Sequence, residues 1–158
     1  MNAQTQSGNV LEQTVKGTFM AKKFAVVSFK EWEAAPQNFG DELLLMRAPY
    51  ATIYNHKGYT EFLLRSKKYG REIRIECKWQ QVSGSVDEKL PYLYLNIIRC
   101  PEPEFIVIID GAGWKKGAVE WLKNAVAARA FLPPEAPPKR VEIFNLTEFL
   151  TWANNEFR

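Results

Sequence analysis

Histidine is almost missing from this chain. His56 is the only one in 158 residues, which excludes a histidine-rich zinc site and any mechanism that needs two imidazoles. Cysteine is nearly as scarce. Cys77 and Cys100 lack the close spacing of a metal or redox motif and read as reduced thiols in a cytosol-like compartment. No apolar run approaches the roughly 20 residues that would span a bilayer, and Met1 to Gly8 is polar, without the apolar core of a signal peptide. There is neither an internal repeat nor a linker long enough to divide the chain. These absences predict a soluble, intracellular (cytoplasmic) protein with a single domain over residues 1–158. The net charge is only +3, which permits a nucleic-acid partner without arguing for one.

What is present is a core and a strong periodicity. Hydrophobic residues make up 46% of the sequence, enough for one well-filled interior at this length. Val10, Leu11, Val15 and Phe19 recur at helical spacing over 9–20. Phe24 to Phe29 reads as a strand, 30–40 as a mixed stretch broken by Pro36 and Gly40, and 43–46 and 50–54 as two β pieces separated by Pro49. Runs at 59–65 and 72–80 flank the turn Ser66 to Gly70, which predicts a β-hairpin. Ser85 and Glu88 carry a capping-box pattern opening a helix that Pro91 should bend or restart. Phe105 to Ile109 is apolar throughout, as in a central strand buried on both faces. A glycine turn at 111–113, a helix over 117–129, a proline-stiffened connection, a strand over 141–144 and a helix capped by Asn145 complete the order. A mixed central sheet flanked by helices is the packing this order favours.

The second hairpin strand carries the chemistry. Ile73, Ile75, Cys77 and Trp79 alternate with Arg74, Glu76, Lys78 and Gln80, so a row of charged and polar groups shares one face of a core-quality strand. Such a row costs desolvation energy unless it is paired or put to use. By the same alternation Glu61 should share a face with Leu63 and Arg65, opposite Phe62 and Leu64. Antiparallel neighbours lie about 4.5–5.5 Å apart, so a suitable register brings Glu61 and Glu76 to one place. Two carboxylates that close repel unless a cation lies between them. Mg²⁺ takes oxygen ligands of this kind, and Lys78 on the same face could orient or deprotonate a water, or offset charge on phosphorus.

Gly58-Tyr59-Thr60-Glu61-Phe62-Leu63-Leu64, Ile73 to Gln80 with its Glu76-Cys77-Lys78 centre, and Gly84 to Lys89 together resemble the PD-(D/E)XK nuclease superfamily, especially its type II restriction endonuclease-like members. The resemblance covers most of the chain in element order. It implies an α/β restriction endonuclease-like core of order αβββαβ and a metal-dependent deoxyribonuclease, an endonuclease using Mg²⁺ or Mn²⁺ on DNA. It places Glu61, Glu76 and the Cys77 backbone carbonyl as metal ligands and Lys78 as the catalytic lysine. Gln80 matches a glutamine that some members carry in the site. Gly8-Asn9-Val10-Leu11-Glu12 matches the first-helix pattern whose glutamate approaches the metal. A homodimer would supply two centres for cutting both strands. The usual Pro-Asp is Thr60-Glu61 here, and this departure favours the alternative of a weakened or inactive nuclease fold that binds nucleic acid or protein.

Each of these residues also has a plain structural reading. Glu61 could pair with Arg65, Arg74 or Lys78. Asn9 and Glu12 form an N-capping pattern of their own. Trp114, Trp121 and Trp152 read as packing residues. Lys67, Lys68, Arg71, Lys115 and Lys116 are turn charges that could meet a DNA backbone or only water.

Overall fold

Period-two alternation in the middle of the chain and period-3.6 patterns at its ends give a six-stranded sheet with helices on both faces. The computed structural model describes residues 3–158, and the side chains of all of these except 3–8, 85 and 86. Helix α1 (Ala3–Ala21) leads into β1 (Ala25–Ser28), α2 (Phe29–Ala34), β2 (Glu42–Ala51), β3 (Lys57–Ser66) and β4 (Arg71–Trp79). Then follow α3 (Lys89–Arg99), β5 (Glu104–Asp110), α4 (Lys116–Ala128), β6 (Arg140–Phe144) and α5 (Leu146–Glu156). The strands lie side by side in chain order, with β2, β3 and β4 antiparallel and the outer pairs parallel. This is the mixed, helix-flanked sheet of a restriction endonuclease-like fold, as expected, with β1 and α2 preceding the three-stranded meander.

Helices α1 and α5 cover one face. Leu11, Val15, Phe19, Phe149, Trp152 and Phe157 pack there on Leu64, Ile73, Ile75, Cys77, Ile106 and Ile108. On the other face α3 and α4 bury Leu90, Tyr94, Ile97 and Leu122 against Phe105, Val107 and Ile109. Beside them α2 lays Phe29 and Trp32 over Leu43, Leu45 and Leu63. Glu76 is in register with Val107 and Lys78 with Ile109, so both stand on the α3 and α4 face, where the apolar cover of α2 ends and that of α3 begins.

Several elements depart from the sequence pattern for identifiable reasons. Phe29 does not end β1, because the Ser28 hydroxyl accepts from the amide of Glu31 at 3.1 Å and starts α2. Strand β2 runs unbroken through Pro49. Strand β1 pairs only with Leu43–Met46, so the outer edge of β2 is open where the proline falls, and an edge tolerates its missing N–H. Helix α1 starts at Ala3, so Asn9 lies inside it and is no N-cap. The expected helix from Ser85 is a short 3-10 turn over Ser85–Glu88, and α3 begins at Lys89 without a side-chain cap bond. The Ser85 side chain lies outside the described residues. Pro91 consequently sits in the first turn of α3, where an amide has no helical partner, and it neither bends nor restarts the helix.

Candidate active site

The hairpin ladder between β3 and β4 runs from the Ser66–Arg71 pair to the Phe62–Ile75 pair and stops. Beyond it the strands part, and Glu61 reaches into the gap: its Oε2 accepts the Cys77 amide at 3.1 Å, in place of a backbone carbonyl. In an extended strand the N–H and C=O of one residue lie on the same edge, so the Cys77 carbonyl faces the same gap. Two residues toward the chain end, Lys78 Nζ lies 2.6 Å from Glu76 Oε1. The two carboxylates and the ammonium therefore converge at the frayed end of the hairpin.

Strict alternation does not carry through this point. Arg47, opposite Glu61 on β2, has a left-handed backbone with φ 53°, and the two are the unbridged pair between Met46–Phe62 and Ala48–Thr60. Ala48 consequently packs with Leu43 and Leu45. Thr60, whose Oγ1 lies 3.1 Å from Arg74 Nη1, shares a face with Leu63, the register partner of Arg74. The expectation that Glu61 shares the face of Leu63 and Arg65 is thus corrected: its carboxylate lies in the gap of the ladder.

The electrostatics show what the arrangement lacks. Burial, and next the charge of Glu76, push the Glu61 carboxyl up to about 9. Burial would lower the Lys78 ammonium, but Glu76 and then Glu61 outweigh it and the net shift is upward. Glu76 Oε2 is buried with no hydrogen-bond partner. Arg65 is engaged with Glu72 at 3.2 Å and Arg74 with Glu102 at 2.6 Å, so neither arginine neutralises Glu61. An unpartnered buried carboxylate oxygen beside a second, destabilised carboxylate fits a hard divalent cation. Burial, and next Glu61, raise the Cys77 thiol well above its usual range, and its side chain packs in the core with Ile75 and Ile108, on the face opposite Glu76. No group of three or more His, Cys, Asp or Glu side chains converges as a metal cluster among the described residues. The available set is two carboxylates and a main-chain carbonyl.

The other expected residues separate. Glu12 lines a cleft of about 310 Å³ that opens onto Glu61, together with Lys16, Met46, Arg47 and Tyr59, without closing to a three-carboxylate cluster. Gln80 is buried, and its amide donates to the Val82 carbonyl within its own loop. Its backbone carbonyl accepts the Gly113 amide at 2.7 Å, which ties the loop after β4 to the turn after β5. Glycine is required in that turn: Gly111 has φ +99°, and a Cβ there would lie 2.3 Å from the Gln80 carbonyl oxygen. Arg71 is no free turn charge, since it bridges Glu104 at 2.5 Å and Glu156 at 2.6 Å. Lys67 and Lys115 pair with Asp41 and Asp87. Trp152 is core, whereas Trp121 is 38% exposed.

One neighbour escaped the sequence reading. The Tyr50 hydroxyl is pushed up to about 12 by burial and next by Glu76, so it lies within reach of the Glu76 charge from β2. Gly58 makes room for it, because a Cβ there would fall 2.9 Å from the Tyr50 ring. The only local signal is that glycine, three positions before Glu61 and across the hairpin from Tyr50.

Family models identify residues 3–157 as a PD-(D/E)XK nuclease superfamily domain. No curated protein and no solved structure matches the chain.

Proposed function

The chain belongs to the PD-(D/E)XK nuclease superfamily, and on that footing we propose that it is a divalent-metal-dependent endonuclease that hydrolyses phosphodiester bonds in DNA. The observation that carries this reading is the buried, unpartnered Glu76 Oε2 beside Glu61. Glu61, Glu76 and the Cys77 carbonyl would hold the ion, Mg²⁺ or Mn²⁺. When bound, it supplies a Lewis acid for the phosphate and neutralises charge on the leaving oxygen.

The protein's own groups do the rest. Glu76 positions the Lys78 ammonium through their 2.6 Å contact. Glu76 and then Glu61 shift the Lys78 ammonium upward, and from that position it acts on the attacking water and offsets charge on the phosphoryl oxygens. The Cys77 amide fixes the Glu61 carboxylate in the strand gap. Thr60-Glu61 supplies the acid from this gap with one more methylene than an aspartate would have. Its contact with Cys77 supports an intact acid position over a dismantled one.

Incubation with supercoiled plasmid tests the proposal. Wild type should nick or linearise it in Mg²⁺ or Mn²⁺ and not in EDTA. Lys78→Ala should lose the activity by about 10²-fold or more, the size expected when one charge-stabilising donor is removed. Salt-sensitive DNA binding without cleavage in either metal would replace the enzyme with a nuclease-fold binding module.

A further inference from the structure

We propose that Arg47 is a substrate-binding residue that takes a backbone phosphate of the DNA strand next to the scissile bond, with Tyr59 as its positioning residue. The inference rests on the nuclease reading above and adds to it where the strand lies.

Arg47 sits directly across from Glu61 in the register of β2 and β3. It holds a left-handed backbone, φ 53°, in the middle of an otherwise extended strand. That conformation is unfavourable for a side chain with a Cβ, and glycine or asparagine would adopt it more readily. Packing does not demand an arginine, because the residue is exposed. Nor does ion pairing. Arg65, Arg71, Arg74, Arg99, Arg129 and Arg140 each donate to an oxygen of the protein. Arg47 has no such acceptor among the described residues, although the Glu61 carboxylate lies on the neighbouring strand.

Its guanidinium instead rests on the Tyr59 ring, 4.1 Å from the centroid. A cation held this way keeps its in-plane N–H donors free while its orientation is fixed. Such a fork matches two phosphate oxygens. Lys57 Nζ lies 5.6 Å from the same ring, and Lys16 lines the cleft that joins Arg47 to Glu61. Arg47 and Lys16 thus line a cleft that also carries Glu12 and Glu61, and Lys57 adds a third cation beside Tyr59. A polyanionic strand entering the cleft would set one phosphate on Arg47 and its neighbour near Glu61.

The experiment is fluorescence anisotropy of a short labelled DNA duplex with the full-length protein in Ca²⁺, over a series of KCl concentrations. Arg47→Gly suits the left-handed backbone and should melt no lower than wild type, so a binding defect is not a folding defect. It should weaken binding and reduce the slope of log K against log salt by about 0.9, the value for one lost phosphate contact on B-DNA. In cleavage assays it should raise KM while largely sparing kcat. Tyr59→Phe should behave as wild type, and Tyr59→Leu as a partial Arg47→Gly. If wild type binds with a steep salt dependence and Arg47→Gly keeps the same slope, this inference is wrong and the nuclease reading stands. If wild type shows no salt-sensitive binding, both fall.

Discussion

The first charge of the Arg74-Glu76-Lys78 row does different work from the other two, and removing its partner shows this. Arg74 is 4% exposed. Its guanidinium gives Nε and Nη2 to Glu102 at 2.6 and 2.9 Å, Nη1 to Thr60 Oγ1 and the Ala48 carbonyl at 3.1 Å, and Nη2 to the Pro49 carbonyl at 2.7 Å. All five donors of an arginine are thereby matched. This one side chain anchors β2 at the carbonyls of Ala48 and Pro49. Glu102→Ala leaves the guanidinium buried and uncompensated, which costs about 3–5 kcal/mol. For a chain of this length that corresponds to a drop in Tm of about 6–20 °C. Glu72→Ala, which breaks the exposed Arg65–Glu72 pair, should cost no more than about 1 kcal/mol. The assay is urea denaturation of wild type, Glu102→Ala, Arg74→Met and the double variant Arg74→Met with Glu102→Leu. The double variant should lose clearly less than the sum of the singles, because each single strands a charge. A Glu102→Ala cost as small as that of Glu72→Ala, or single effects that add within about 0.5 kcal/mol, would mean that Arg74 and Glu102 do not act as a mutually dependent buried pair.

Other expectations follow from the same geometry. The folded state binds the Glu61 proton more tightly than the unfolded chain, with a carboxyl raised from 4.5 to about 9, so its contribution is fully present below about pH 4.5 and is lost as pH rises toward 9. In EDTA, stability should therefore fall between pH 5 and 8.5 by less than about 1.4 kcal/mol per pH unit, since solvent screens a half-buried group. Thermal melts of Glu61→Gln should lack that slope, and Mg²⁺ should stabilise wild type more at pH 8 than at pH 5.5. Gly111→Ala should destabilise by about 1–3 kcal/mol through left-handed strain and the clash with the Gln80 carbonyl, read by urea denaturation. Asparagine at that position should do no less harm, because its Cβ meets the same carbonyl.

Much of the architecture was legible because strong periodicity and turn chemistry agreed. The hairpin from Tyr59 to Gln80, the buried run at 105–109 and the Asn145 cap on α5, whose Oδ1 accepts the Glu148 amide at 2.8 Å, all stand where the pattern put them. Proximity of Glu61, Glu76 and Lys78 was legible from spacing. The way Glu61 reaches its neighbours was not, because it depends on where a ladder ends and on a left-handed Arg47, neither of which has a local signature. The Ser28-x-x-Glu31 pattern could have announced α2, but the apolar run around it masked the cap. Gln80 looks functional alone, and only its partners reveal that it braces a loop, whereas Asn9 reads as an N-cap until the start of α1 at Ala3 places it inside the helix. Tyr50 was hidden behind Pro49, which reads as a break until the free edge of β2 is known.

The most direct test is anomalous scattering from a crystal of the full chain soaked in Mn²⁺. A single strong peak should appear bonded to one oxygen each of Glu61 and Glu76, within about 2.3 Å of both, and should vanish in Glu76→Gln. Ordered Mn²⁺ elsewhere in the molecule with nothing between those carboxylates would contradict the proposed metal site.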